Sequence, residues 1–320
     1  MTTRILGTGS ALPSKIVTNT DLMQIMDTSD EWIRSRTGIG ARHIAVAETT
    51  TSLSVEAGKK ALEAADIEVE KLDMIIVATL SADKVTPSAA CEVQAILGAK
   101  NAVAFDINAA CSGFLFALQT AHAYIQAGMY KHILVIGAEV LSKIMDWEDR
   151  GTCVLFGDGA GAALVGMDAV GIRSIVQGSD GSKGPILSCD NRSIINPYTH
   201  QVNVNPYVTM NGQEVFKFAV RKVPLCIKEA LEKANISKED IKYFVLHQAN
   251  MRILEAVAKR LEIGIEKFPT NLQWVGNLSA ASVPVLLDEV ARGGMLHRGD
   301  KILLAGFGGG MTWGATVIEW

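Results

Sequence analysis

The chain has 320 residues, 48% of them hydrophobic and 20% charged, with 29 glycines and 8 prolines. That composition describes a globular protein with a large core and excludes a disordered or collagen-like chain. A formal net charge of -4 gives no global support to nonspecific nucleic-acid binding, so nucleic acid is not an expected partner.

The N-terminus reaches Pro13 without a continuous apolar segment, and nowhere do about 18 apolar residues run uninterrupted. The expectation is a cytoplasmic chain with no membrane partner. Its five cysteines (Cys91, Cys111, Cys153, Cys189 and Cys226) are scattered, with no C-x-x-C pair, which suits a reducing compartment and gives no zinc framework.

Early in the chain, Gly7-Thr-Gly9 follows a short strand but lacks a third glycine, and Pro13 interrupts the helix that a dinucleotide fingerprint needs. An amphipathic helix over 54–65 then leads through a turn into the apolar strand Met74-Ile-Ile-Val. Next comes the run Asn108-Ala-Ala-Cys111-Ser-Gly113, where small residues crowd a sulfur just before a helix from Ser112 to Ala127 that is apolar nearly all round. A thiol at a helix N-terminus faces unpaired N–H groups and the positive end of the macrodipole, both of which favour thiolate. On this hexapeptide alone, a nucleophile and an inert buried cysteine are both open. The strand Ile133 to Ile136 follows. Gly157-Asp-Gly159-Ala-Gly161 leads into strand-like Ala162 to Val165 and is not a P-loop, and a boundary falls in Gly166–Gly171, dividing 1–168 from 169–320.

The second half restates the first. At a constant offset of 169 residues, Ala61-Leu-Glu-Ala-Ala-Asp-Ile falls on Ala230-Leu-Glu-Lys-Ala-Asn-Ile, and Met74-Ile-Ile-Val falls on Tyr243-Phe-Val-Leu. Asn108 falls on Asn277, Cys111 on Ala280, and Ile133-Leu-Val-Ile-Gly137 on Ile302-Leu-Leu-Ala-Gly306. One register held over some 75 residues reads as a duplicated α/β unit with few net insertions. Strands apolar on both faces and an all-round apolar helix predict two sheets sharing a central helical layer, with the helices 54–65 and 223–234 outside.

In this register His247 ends the strand Tyr243 to Leu246, before the helix Met251 to Leu261, where α/β folds present side chains to ligands. Its mate is Ala78, so the imidazole belongs to the second half alone. Asn277 precedes the helix Ser282 to Arg292, and a pseudo-twofold axis lets Cys111, His247 and Asn277 meet in one pocket. Packing for the cysteine, a hydrogen-bonded strand end for the histidine and a helix cap for the asparagine are the alternatives. Gly306-Phe-Gly-Gly-Gly310 lies between the strands Lys301 to Ala305 and Thr312 to Glu319, and serves either an oxyanion or a tight turn.

Taken together, Asn108-Ala-Ala-Cys111-Ser-Gly, His247-Gln-Ala-Asn250-Met-Arg252-Ile, Gly276-Asn277-Leu-Ser-Ala-Ala-Ser and Gly306-Phe-Gly-Gly-Gly310 resemble the signatures of β-ketoacyl-acyl-carrier-protein synthase III. So do Asp27-Thr-Ser-Asp-Glu-Trp32-Ile-Arg-Ser-Arg36 and Asp149-Arg150-Gly-Thr-Cys-Val-Leu-Phe-Gly-Asp-Gly-Ala-Gly161, so that the likeness spans essentially the whole chain. The resemblance implies a thiolase-like αβαβα fold and a homodimer. Leu278 departs from it, the family usually having threonine there, and local repacking beside Asn277 is expected.

The implied activity is a decarboxylative Claisen condensation of an acyl-CoA primer, taken as acetyl-CoA, with malonyl-acyl-carrier protein. It initiates fatty acid biosynthesis and yields 3-oxoacyl-acyl-carrier protein, CoA and CO2. By resemblance, Cys111 takes the acyl group while backbone N–H groups of Cys111 and Gly309 hold the oxyanion. His247 and Asn277 then donate to the enolate that decarboxylation forms. Acyl-CoA is a substrate, and no metal or redox cofactor is implied. Also by resemblance, Trp32 and Arg150 sandwich the adenine of CoA, with Thr28, Arg36, Gly151, Gly212, Phe216 and Asn250 along its channel. Arg252, Lys259 and Arg260 on one helix, and Lys217 with Arg221 on another, form the expected face for an acidic carrier protein. The loop Ser81–Pro87 is expected beside the primer. A specialised condensing enzyme of acyl or polyketide synthesis, a degradative thiolase and a noncatalytic acyl-binding protein are the competing readings. The thiolase usually needs a second cysteine near the C-terminal glycine loop, and Gly306 to Gly310 contains none.

Overall fold

Two sheets carry the two halves of the chain in the computed structural model, which describes residues 1–199 and 204–320. The first has five strands in the spatial order Thr2–Ala11, Gly159–Asp168, His132–Glu139, Met74–Ala78 and Val103–Ile107. The second has four, in the order Ile172–Ser179, Thr312–Glu319, Lys301–Gly308 and Ile241–Leu246. Strand for strand, the second sheet repeats the first four places of the first.

Three of these pairs keep the sequence offset. The fourth, Gly159–Asp168 with Thr312–Glu319, holds the same place in its sheet at a different offset. The first half spends residues 140–158 between its last two strands where the second spends only 309–311, which corrects the expectation of few insertions. The edge strand Val103–Ile107 has no counterpart either, since the stretch at its offset forms the short helix Leu272–Val275.

Met74–Ala78 is buried at every position and pairs in parallel with strands on both sides, as its uninterrupted apolar run requires. Between the sheets lie the helices Gly113–Gln126 and Ser282–Arg292. Their Phe114, Leu118, Ile125, Leu286 and Val290 share one core with Ile76 and Val135 of the first sheet and Val245, Ile302 and Leu304 of the second. The outer layers are helices Thr50–Ala65 with Ala89–Leu97 on one side and Gly212–Ala234 with Met251–Leu261 on the other. This is the layered αβαβα arrangement expected of the sequence.

Several local expectations change. The central helix begins at Gly113, after a separate one-turn helix Ala110–Ser112, and its C-terminal half exposes Gln119, Ala123 and Gln126 instead of being apolar all round. Gly7 and Gly9 are strand residues pressed on the helix Thr50–Ala65. A Cβ on them would lie 2.5 Å from the Ala61 carbonyl oxygen and 2.3 Å from that of Ala57, so close approach explains these glycines.

The duplication extends to backbone conformation. Ala110 and Ser279, repeat mates at the two central turns, both have positive φ, 46° and 48°. Asp66 and Asn235, mates at the ends of the outer helices, do so as well, at 54° and 52°.

Candidate active site

Cys111 sits in the one-turn helix Ala110–Ser112 beneath the glycine-rich end of the strand Lys301–Gly308. Asn108 Oδ1 accepts from the Ala110 N–H at 3.2 Å, closing the turn before the sulfur. Ser112 Oγ meets Thr312 Oγ1 at 2.5 Å, and Thr312 Oγ1 donates to the Ala109 carbonyl at 3.0 Å, tying the turn to the second half. Gly308 lies so close that a Cβ on it would be 2.5 Å from the Cys111 nitrogen.

The thiol is 8% exposed, and burial pushes it from 9.0 up to about 12, with the charge of nearby Glu139 adding to the rise. Burial therefore opposes the activation expected of a helix N-terminus. A helix N-terminus supplies only about 0.3–2 kcal/mol toward the thiolate. Desolvation wins, and Cys111 rests as a neutral thiol.

His247 follows the strand Ile241–Leu246, its N–H donating to the Ala305 carbonyl at 2.8 Å. Its ring meets Phe307 edge-on with centroids 5.5 Å apart, and burial lowers its pKa to about 3. The imidazole is neutral. Nδ1 is buried without a partner, and the residue lines the cavity. Asn277 is fixed by its backbone, which donates to the Leu155 carbonyl at 2.9 Å and accepts from Gly157 at 3.0 Å. Its Oδ1 accepts from Ser279 N at 2.9 Å, repeating the Asn108 turn, and this leaves the Nδ2 donors for the cavity. Asn277 thus caps a turn and offers a donor at once.

Cys111, His247 and Asn277 line one cavity of about 1170 Å³. Trp32, Arg36, Gly151, Gly212, Phe216 and Asn250 line it too, as do Lys217 and Arg252 of the expected carrier face. Thr28, Arg150, Lys259 and Arg260 do not. Cys111 also lines a second cavity of about 880 Å³ with Gly309, Ser279 and residues 82–85 of the Ser81–Pro87 loop.

Arg150 and Asn250 also make structural contacts. Arg150 stands over the Trp32 ring at 5.2 Å and is tied to the Asp27 carbonyl, while Arg36 stacks on the same ring at 4.5 Å. A base sandwiched between Trp32 and Arg150 needs about 7 Å, two contacts of about 3.5 Å, so the guanidinium has to withdraw. Asn250 spends its amide on structure: Oδ1 caps the helix Met251–Leu261 at Arg252 N, and Nδ2 donates to the Arg36 carbonyl at 3.0 Å.

Leu278 is fully buried among Leu12, Val275, Ala281 and Val285 and lines neither cavity. Sequence reasoning missed Phe307, Ser279 and Glu139. The last had a signal: it is the only acid in the apolar strand His132–Glu139.

Family models described as 3-oxoacyl-[acyl-carrier-protein] synthase III match residues 105–181, and its C-terminal part matches residues 231–320. A β-ketoacyl-[acyl-carrier-protein] synthase III from Clostridium acetobutylicum is 52% identical, covering 99% of this chain and 98% of its own. The chain belongs to the synthase III family. A crystal structure of the Aquifex aeolicus synthase III superposes with a TM-score of 0.94 at 48% identity, covering 99% of this chain and 100% of that one. The priming β-ketosynthase of the R1128 polyketide pathway does so at 0.93 with 36% identity, over 99% and 96%. Like other synthases III, this chain is a condensing acyltransferase with a thiolase-like fold.

Proposed function

We propose that Cys111 is the acyl carrier of this enzyme and that the halves 1–168 and 169–320 divide the chemistry, sulfur from the first and enolate donors from the second. The reaction joins an acyl-CoA to malonyl-acyl-carrier protein and initiates fatty acid synthesis. What supports the assignment is that Cys111 borders both cavities, sharing one with His247, Asn277 and Trp32 and the other with Gly309.

In the first step the sulfur attacks the thioester carbonyl, and the N–H groups of Cys111 and Gly309 take the developing oxyanion. CoA leaves through the channel lined by Trp32, Arg36, Gly151, Gly212 and Phe216. In the second step malonyl-acyl-carrier protein loses CO2, and the enolate oxygen accepts from His247 Nε2 and Asn277 Nδ2, both neutral donors. Its carbon then attacks the acyl-enzyme, forming the new C–C bond and releasing the Cys111 sulfur. No step draws on a metal or redox cofactor. Acetyl-CoA is the proposed primer, and the cavity of about 880 Å³ also has volume for branched and longer chains.

A homodimer belongs to the same proposal. The edge strand Val103–Ile107 pairs on one side only and carries apolar Val103, Phe105 and Ile107, with Val103 48% exposed, and a second copy would cover it. A cytoplasmic location suits two soluble thioester substrates, and among the described residues no helix is long and apolar enough to cross a membrane. The polyketide-priming relative is less similar than the synthases III named above, which favours fatty acid initiation over a specialised pathway. Incubation with acetyl-CoA tests the core of the reading. An acetyl mass increment on Cys111, lost in Cys111→Ala, is expected, and its absence from the native chain would overturn it.

A further inference from the structure

A neutral buried thiol has to lose its proton before it attacks. This inference rests on the reading of Cys111 as the acyl carrier. His247 is poorly suited to receive that proton, because its environment disfavours the imidazolium. A second group stands on the other side of the sulfur. Glu139, fully buried at the end of its strand, binds Thr79 Oγ1 and Leu80 N through Oε2, each at 3.2 Å, and also Ser81 Oγ. Its other oxygen, Oε1, is buried with no partner.

Ser279 faces the same place. Its Oγ is also buried without a partner, and its turn, Ser279–Ala281, packs on both the turn that holds Cys111 and the strand that ends in Glu139. Two orphaned polar atoms on elements packed against each other are uncommon in a core, where unpaired buried groups are costly. They become complementary if one hydroxyl turns between them. The repeat mate of Ser279 is Ala110, so the hydroxyl, like His247, was not carried by both halves.

We infer that Ser279 and Glu139 form a proton relay that receives the Cys111 thiol proton during acylation. The thiol S–H passes its proton to Ser279 Oγ as the Ser279 O–H passes its own to Glu139 Oε1. The new thiolate forms the C–S bond to the acyl carbon, and the C–S bond to CoA breaks. The proton held by Glu139 returns through Ser279 to the departing CoA sulfur, so the half-reaction releases free CoA and leaves Glu139 ionised again. The groups facing Glu139 are Thr79, Leu80 N, Ser81, Ser279, the Ala280 backbone and the Cys111 sulfur. Burial, opposed by the hydrogen bonds from Ser81 and Leu80 N, holds the carboxyl at about 7, where both protonation states are available at neutral pH.

Glu139→Gln and Ser279→Ala test the relay in the full-length enzyme, with acetyl-CoA and mass detection of acetyl-Cys111 in single turnovers. A positioned proton acceptor contributes at least about 100-fold, so both variants are expected to acylate about 100-fold more slowly at pH 7, and Glu139→Asp to recover part of the loss. In the native enzyme the rate rises with pH through the Glu139 titration, and this limb disappears in Glu139→Gln. A charge that merely burdens the thiol predicts the opposite for Glu139→Gln, an unchanged or faster acylation. Native rates and an unchanged pH profile in either folded variant, with the acetyl group still on Cys111, would overturn the relay alone. Failure of the native chain to acetylate Cys111 would instead overturn the acyl-carrier reading. Should Glu139→Gln not fold, Ser279→Ala, which keeps the carboxyl, decides.

Discussion

Gly308→Ala is the substitution whose consequence can be worked most directly from the geometry of the nucleophile. The added methyl would meet the Cys111 nitrogen at 2.5 Å and its Cα and Cβ at 3.1 Å, while ordinary contact begins at 3.4 Å. The obstacle is backbone, so the Cys111 turn or the strand has to move by the 0.9 Å difference on the nitrogen. Overpacking of this kind costs about 1–3 kcal/mol of stability. Misplacing a reacting atom by about 1 Å costs about 100-fold in rate. The expectation is therefore slow acyl-Cys111 formation in single turnovers with acetyl-CoA, together with a melting temperature lowered by a few degrees. Gly181→Ala, where nothing lies within 4 Å, provides the control. Native acylation kinetics in a folded Gly308→Ala would show that this strand does not hold the cysteine in place.

His247→Ala and Asn277→Ala are expected to keep acyl transfer to Cys111 while losing malonyl decarboxylation, because their donors face the enolate; following both half-reactions separately checks this, and equal loss of the two counts against it. Lys259→Glu is expected to raise KM for the carrier-protein substrate with little effect on acyl-CoA, whereas Arg252→Glu, whose native side chain lines the cavity, raises both; a salt-insensitive KM for the carrier would remove these residues from its docking face. Stability offers a pH test. His247, lowered from 6.5 to about 3, binds fewer protons folded than unfolded, so its contribution is lost as pH falls from 6.5 toward 3. Glu139, raised from 4.5 to about 7, works in the opposite sense, and its contribution is lost as pH rises from 4.5 through 7. The two nearly cancel between pH 4.5 and 6.5. Glu139→Gln is expected to uncover the His247 slope, up to about 1.4 kcal/mol per pH unit, in denaturant titrations; a flat profile in that variant would refute the assignment.

Much of the architecture was legible because burial writes itself into periodicity. Runs such as Met74–Ala78 admit only a strand covered on both faces, and the repeat placed Cys111 and Asn277 at equivalent turns before any fold was known. The second sheet lost its fifth strand and the first gained residues 140–158, changes that a fixed register cannot carry. The burial of the thiol was not legible. A helix start is visible in sequence, whereas the desolvation that outweighs it depends on how Gly308, Thr312 and Ser279 close around the sulfur from distant parts of the chain. Arg150 and Asn250 illustrate the same limit: their positions were legible, but their hydrogen bonds to the Asp27 and Arg36 carbonyls follow from loops meeting in space.

The matched left-handed residues Ala110 and Ser279 bear on how such an enzyme can diversify. A bend that costs energy for a side chain has been kept twice, once beside a cysteine and once beside an alanine. The bend is thus a mounting that is indifferent to what it presents. Chemistry can be reassigned between the halves by exchanging one side chain on either mounting, without redrawing the backbone that aims it.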